Sequence, residues 1–403
     1  MQDSRHQLIL SLIVIFTILQ LIILLLFGYT PYPDSEGYIQ LAYESITHQE
    51  PYPVTSKLNE YNFLWNIGAI NITALSLYLF HSITPLLIVY SLMKGIMAWM
   101  FYAITKNIFD HKIAFIALIL YVIYPANYGE STSVLSELPF MFFIFLGMYL
   151  IIVRKWFFIG GMSLAFANWC RPMAIVFLLA LCIYMIYKWR NSLKMIAGYV
   201  VMIAVIGFAS MHRTGLFLYQ AKSGWMALMD YSSDHSEKSL EVLDRNDWNV
   251  SQKDSAWCSL FIDWVKDHPV EYVSQMPQKL VNTYVSDNVN MCTFIPDKAV
   301  EEYMYNEVSM ATLIHAFPRF SGVQWLTIAN LLIYYLLLIG ALASLVYFKP
   351  DTYLLPISCI LLGTLILLFA GHGEARFHIP FMPFFIMLTA TFIHRKYGKS
   401  RVD

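Results

Sequence analysis

The sequence predicts an all-α protein that crosses a membrane many times. Runs of about 20 apolar residues, the length that spans a bilayer's hydrocarbon core, recur along the chain. Only 13% of the 403 residues are charged and 58% are hydrophobic, whereas soluble domains carry roughly a quarter charged residues. Lys and Arg also concentrate in alternate connections, the pattern that fixes orientation in a bilayer. The formal net charge of −1 provides no basic face, so a nucleic-acid partner is not expected.

Apolar segments lie at about 8–27, 85–105, 113–125, 137–153, 156–169, 173–187, 195–211, 324–347, 353–370 and 379–393. Several fall short of a perpendicular span, so some helices must be broken or extend further than the apolar run. The first reads as an anchor, because its apolar region is long and no small-x-small cleavage site follows Phe27. Lys106, Lys112, Arg154, Lys155, Lys188, Arg190, Lys194 and Lys349 fall on one side with the basic tail Arg395–Arg401, and the short opposite loops carry only Lys57, Arg171 and Arg376. About ten crossings with both termini cytoplasmic follow, in the cell (cytoplasmic) membrane. The apolar stretch 63–80 holds Asn66, Asn71 and Ser76, and it is placed flat in the outer interface, since a further span would invert every later loop.

Three parts are expected: 1–211, a membrane module with a first outer loop at 28–84; 212–323, a large outer loop; and 324–403, the last spans and a cytoplasmic tail. The first loop has five acids and one lysine, and the large one 15 acids against 9 bases. Helices are expected there at 255–268 and 270–285. None of the five cysteines forms a C-x-x-C pair; Cys258 and Cys292 share this loop and can pair in an oxidising compartment or stay free thiols.

Four stretches carry candidate chemistry. In PYPDSEGYIQLAYESI (31–46), Ile39, Ala42, Tyr43 and Ile46 give an apolar helix face, while Glu36, Gln40 and Glu44 stand four apart. Asp34 opens this helix, either as an N-cap or as a carboxylate able to take a proton at the membrane surface. In NYGESTSVLSELPF (127–140), Glu130 and Glu137 stand seven apart and would share one face of a single helix; charges at a span are functional suspects, though a wet helix end would also hold them. Arg171–Pro172 parts two short apolar runs and can bind a phosphate or mark a helix break. In GHGEARFHIPFMPF (371–384), His372, Glu374, Arg376 and His378 alternate and would face one side of an extended loop. An arginine fork with a histidine donor suits phosphate, and a local Glu374–Arg376 ion pair is the plainer reading.

Taken in order, these motifs resemble the GT-C membrane glycosyltransferases, in particular the branch of protein O-mannosyltransferases and aminoarabinose transferases. WVKDHPVEYVSQMPQKLVNTY (264–284) is similar to a segment in the large outer loop of many such proteins. The resemblance implies a GT-C bundle, a polyprenyl-phosphate-linked sugar donor, an active site on the outer side and inversion at the anomeric carbon. It assigns the acid/base role to Asp34 and a donor-phosphate role to Arg376. Family members often have two adjacent acids where Ser35 here separates Asp34 from Glu36, which leaves the part of Glu36 open. Arg376 with His378 is then the expected phosphate site, Arg171 the next candidate, and Glu137 a holder of acceptor or water, with Glu130, Glu36 and Glu374 as supporting acids. The acceptor is a lipid, glycan or protein hydroxyl. No cofactor is required, no metal-ligand set is evident, and a divalent metal is left open. A lipid-linked glycan polymerase or ligase would use similar groups; a transporter would need midplane charges and repeated halves, and no repeat is visible.

Overall fold

The structure is a computed structural model that describes residues 2–47, 65–232, 236–245, 247–287, 291, 293–294, 322–371 and 373–397. Cys292, and with it the Cys258–Cys292 pairing, and His372 lie outside the described residues.

The chain begins with α1 (Gln2–Phe27), α2 (Pro33–Thr47), α3 (Ile67–Phe80), α4 (Thr84–Ile108), α5 (His111–Ile123), α6 (Glu137–Ile152), α7 (Phe157–Cys170), α8 (Ala174–Tyr184) and α9 (Trp189–Thr214). The helices of the stretch expected to form the large outer loop follow, here termed the outer group: α10 (Gly224–Ser232), α11 (Ser236–Leu243), α12 (Val250–Asp267), α13 (Pro269–Ser274) and α14 (Met276–Tyr284). The chain returns to the bundle with α15 (Gly322–Ser344), α16 (Pro350–Ala370) and α17 (Met382–Tyr397). Among the described residues, six helices are long and apolar enough to cross a membrane and five more apolar helices have 10–17 residues. This is a polytopic helical membrane protein, and every apolar segment read from the sequence is a helix in it.

The shorter helices have local causes. Asp110 caps α5, accepting from the backbone N–H of Lys112 at 2.7 Å and of Ile113 at 2.9 Å. Pro125 opens a 3-10 turn, Pro125–Tyr128, soon after α5 ends. Arg171 has extended backbone angles, so the chain breaks between α7 and α8. The expected helix at 270–285 is split at Gln275, because Pro277 cannot donate to the preceding turn. Asn249 caps α12 in a reciprocal box with Gln252, and Trp257 is buried beneath it. α7 and α9 touch backbone to backbone: a Cβ at Gly161 would meet the Met195 carbonyl, and one at Gly198 the Phe158 carbonyl.

α3 stays at one end of the bundle. Ala69 and Ile70 from its start and Leu77 from near its end share one packing cluster with Tyr38, Leu41 and Ala42 of α2 and with Leu86, Leu87 and Tyr90 of α4.

The segment between α5 and α6 is non-helical from Gly129 to Ser136, and every residue in it is buried. Its polar groups are met by α1 and the residues after it. Gln20 donates to the Asn127 carbonyl at 2.9 Å and accepts from Ser131 Oγ at 2.8 Å. Thr30 N–H donates to the Thr132 carbonyl at 3.0 Å, and Ser133 Oγ donates to the Thr30 carbonyl at 2.8 Å. Irregular backbone at membrane depth survives only where protein satisfies it this way. The expected shared helix face of Glu130 and Glu137 is therefore not formed: Ser131–Ser133 bond to α1 instead of continuing a helix, and α6 starts at Glu137.

Glu130 instead meets Lys94 of α4 at 2.6 Å, with side-chain exposures of 4% and 1%. Removing one member of such a buried pair leaves an uncompensated charge, at a cost of about 3–5 kcal/mol. Lys94→Met should lower the thermal midpoint of the detergent-solubilised protein sharply. Lys94→Met combined with Glu130→Leu should recover most of the loss, as followed by size-exclusion profiles after heating. An additive double variant would mean that the two residues act separately.

The positive-inside pattern generates a second expectation. Reporter fusions at 110 and 190 should read cytoplasmic, and fusions at 81, 130 and 250 external. Opposite readings at 81 and 130 would make α3 a span and overturn its placement.

Candidate active site

The ends of four distant segments converge on one charged cluster. α2 begins at Pro33, so Asp34 is its second residue and not its cap. Tyr32 and Ser35 hold the start, the Ser35 N–H donating to the Tyr32 carbonyl at 2.8 Å and the Tyr32 N–H to Ser35 Oγ at 3.3 Å. The Asp34 carboxylate is thus left to pair with Arg376, to which it is joined through its Oδ2 and the arginine Nη1. Arg376 stands in a 3-10 turn, Ala375–Phe381, just before α17. Its Nε lies 2.7 Å from Glu374 Oε1 and 3.9 Å from Glu137 Oε1. The local Glu374–Arg376 pair is present, and the pairing with Asp34 is formed beside it.

Behind Arg376 lies a second arginine. Arg171 Nη1 is 2.5 Å from Glu137 Oε1 and 3.2 Å from Ser136 Oγ. Both guanidiniums lie over the Phe377 ring, Arg171 at 4.8 Å and Arg376 at 5.5 Å from its centroid. Tyr32 covers Arg376 from another side at 5.4 Å. The break at Arg171 thus ends α7 and also delivers a cation to the first turn of α6.

Side-chain exposure grades the cluster. Asp34 is 32% exposed and Glu374 26%, against 16% for Arg376, 11% for Arg171 and 3% for Glu137. Asp34 can therefore meet a substrate from outside, Arg376 lies just behind it, and Glu137 is a buried counter-charge that orients both arginines. Three carboxylates face two guanidiniums, so a formal negative charge is in excess. Asp34 is the most exposed of the three, so an anion that takes its place at Arg376 Nη1 would displace it first.

Polar residues brace this arrangement. Asn66 donates to the Tyr38 hydroxyl at 2.7 Å and to Ser136 Oγ at 3.1 Å, and Ser136 Oγ donates to Glu137 Oε2 at 3.1 Å. Burial, aided by the nearby Glu137 carboxylate, pushes the Tyr38 hydroxyl up to about 12, so Tyr38 stays neutral.

The remaining sequence candidates stand elsewhere. Glu36 lines an outer cleft of about 550 Å³ on another face of α2, with Tyr29, Ile39, Gln40, Tyr43, Glu44 and Thr47. Glu130 is held by Lys94, away from this cluster. His378 points into the bundle, where its ring nitrogens lie 2.6 Å from the Thr283 carbonyl and 2.9 Å from Asp287 Oδ1. With no exposed surface and both nitrogens engaged, it is not a phosphate ligand in this geometry. Among the described residues, no three His, Cys, Asp or Glu side chains form a group that could hold a metal. Sequence reading missed Lys94, Asn66, Tyr38 and Asp287. Lys94 left a usable signal, a lone cation inside an apolar run; the others have partners distant in sequence.

Comparison with known proteins supplies the fold's relatives. The family model described as dolichyl-phosphate-mannose-protein mannosyltransferase matches residues 68–212. That stretch includes Glu130, Glu137 and Arg171 but neither Asp34 nor Arg376. No curated protein matches the chain. Among solved structures, the chain is similar to the archaeal oligosaccharyltransferase AglB from Archaeoglobus fulgidus, in complex with an inhibitory peptide and a dolichol-phosphate. That likeness has a TM-score of 0.52 at 13% identity and covers 98% of this chain. The chain spans about half the length of that protein, 51% of it. The chain shares its fold with that oligosaccharyltransferase.

Proposed function

We propose that the protein transfers a sugar from a polyprenyl-phosphate donor to an acceptor hydroxyl on the outer side of the cell membrane, with inversion at the anomeric carbon. The observation that carries this reading is the direct pairing of Asp34 with Arg376 from opposite ends of the chain, at the exposed edge of a cluster backed by Arg171 and Glu137. The matched family's dolichyl-phosphate donor and the dolichol-phosphate bound to AglB supply a donor of this chemistry.

The donor is a phosphodiester with one negative charge. Its phosphate displaces Asp34 from Arg376, so donor binding frees the carboxylate that the reaction then needs. Asp34 accepts the proton of the acceptor hydroxyl as that oxygen bonds to the anomeric carbon from the face opposite the phosphate. The bond from the anomeric carbon to the phosphate oxygen breaks, and its electron pair stays on the phosphate. The product is a phosphate monoester with an additional negative charge. Arg376, with Arg171 behind it, stabilises that developing charge, while Glu137 keeps both guanidiniums in place before the substrate arrives. The outer group α10–α14 and the cleft along α2 lie beside the site, where a lipid, glycan or protein acceptor would approach.

Asp34→Asn preserves shape but cannot take a proton, and transfer should fall by about a hundredfold or more. The assay uses a polyprenyl-phosphate sugar with membranes at matched expression. Near-normal turnover would remove Asp34 as the base.

Arg376→Lys keeps the charge but loses the fork, so it should raise the apparent KM for the lipid donor, and Arg376→Ala should raise it further. The KM for the acceptor should stay nearly fixed, with kcat falling as charge stabilisation is lost. If Arg376 served only Glu374, Glu374→Gln would cost as much as Arg376→Ala and the double variant no more than either.

A further inference from the structure

The Ala375–Phe381 turn that presents Arg376 is fastened from its opposite side by a buried polar node. Asp287 follows α14 and is fully buried. Its Oδ1 faces His378 Nε2 at 2.9 Å, and its Oδ2 accepts from the Tyr124 hydroxyl and from Asn330 Nδ2, the latter at 3.1 Å. Asn330 Oδ1 in turn accepts from the Ala126 N–H at 3.1 Å. The His378 ring lies between Tyr284, with centroids 5.7 Å apart, and Tyr334, at 5.1 Å. Three parts therefore meet at the His378–Asp287 pair: the end of α14, the segment that follows α5, and α15.

The hydrogen-bond chemistry makes this node specific. Both ring nitrogens face oxygen atoms, the Thr283 carbonyl and the Asp287 carboxylate, so the ring is held from both of its polar ends. A side chain of similar size without two polar ends cannot replace it.

Geometry links this node to the site. In a 3-10 turn with three residues per turn, Arg376, Phe377 and His378 project about 120° apart. His378 enters the bundle while Arg376 reaches the outer cluster. On the N-terminal side, Gly373 has φ +76° and lies so near α14 that a Cβ there would come within 2.8 Å of Lys279 Cα. The segment is thus held at two points, Gly373 against Lys279 within α14 and His378 against Thr283 and Asp287 at and after its end, and Arg376 lies between them in sequence.

We propose that Asp287 and His378 are positioning residues for Arg376, fixing through the end of α14 the guanidinium that receives the donor phosphate. This rests on the reading of Arg376 given above. The loss of the node should appear as a donor defect: His378→Gln should raise the donor KM about tenfold or more and leave the acceptor KM within about twofold.

A double-mutant cycle of His378→Gln with Arg376→Ala tests it, using folded protein matched by fluorescence-detected size exclusion. In the Arg376→Ala background, His378→Gln should cost less than about twofold further in kcat/KM for the donor, because the residue through which it acts is gone. An additive loss, or equal rises in the two KM values, would show a merely structural role and overturn the proposal. Asp287→Asn provides the same cycle where His378→Gln accumulates poorly. If Arg376→Ala alone leaves donor kinetics unchanged, the proposed function of Arg376 fails first. If Arg376→Ala is impaired but the cycle is additive, only the positioning role of His378 and Asp287 falls.

Discussion

The architecture of the site depends on the need to neutralise the Arg376 guanidinium where little water reaches it. A single charge half-withdrawn from solvent requires counter-charges, and Asp34, Glu374 and Glu137 arrive from three places to provide them. Each arrival fixes a larger element. Asp34 ties the start of α2 to the cluster, Glu137 the start of α6, and Arg171 the end of α7 as the second cation on Glu137. Helix ends that are far apart in sequence are thereby gathered at one end of the bundle. Residual exposure at Asp34 then gives a substrate access to that cluster.

The helical part of this arrangement was legible in the sequence because apolar length is a local property. The runs at 8–27 and 324–347 need no tertiary information to be read as membrane helices; α1 covers the first, and α15 with the 3-10 turn Leu345–Tyr347 the second. Asp34 and Arg376 were legible as candidates because a charge at the edge of an apolar run has few reasons to be there. Their direct contact was not, since nothing local links residues 342 positions apart. The spacing of Glu130 and Glu137 misled for a related reason. Seven residues fit a helix, but Ser131, Thr132 and Ser133 found better partners on α1 and after it. His378 shows the same limit: alternation with Arg376 suggested one shared side, and the 3-10 turn sends the two side chains apart.

The likeness to AglB extends over nearly the whole chain at 13% identity, as expected when packing pattern rather than residue identity defines a bundle. The family model ends at residue 212, near the junction between the first membrane module and the outer group. That outer group is nevertheless tied to the bundle. The Tyr272 hydroxyl donates to the Phe369 carbonyl at 2.6 Å, and the Tyr284 and Thr364 hydroxyls are 2.7 Å apart. The end of α14 therefore touches both α16 and the turn that carries Arg376.

The pairing of Lys94 with Glu130 also has a consequence for biosynthesis. The two residues are 36 positions apart, so at translation rates of about 5–20 residues per second Lys94 waits roughly 2–7 s for its counter-charge to be made. Through that interval α4 carries a cation inside an otherwise apolar stretch, which disfavours its release alone into lipid. The segment that neutralises it also closes onto Gln20 of α1. Helices α1 and α4 thus find their buried polar partners in the same later stretch, Asn127–Ser131, and the polar groups of all three are satisfied only once that stretch has been made.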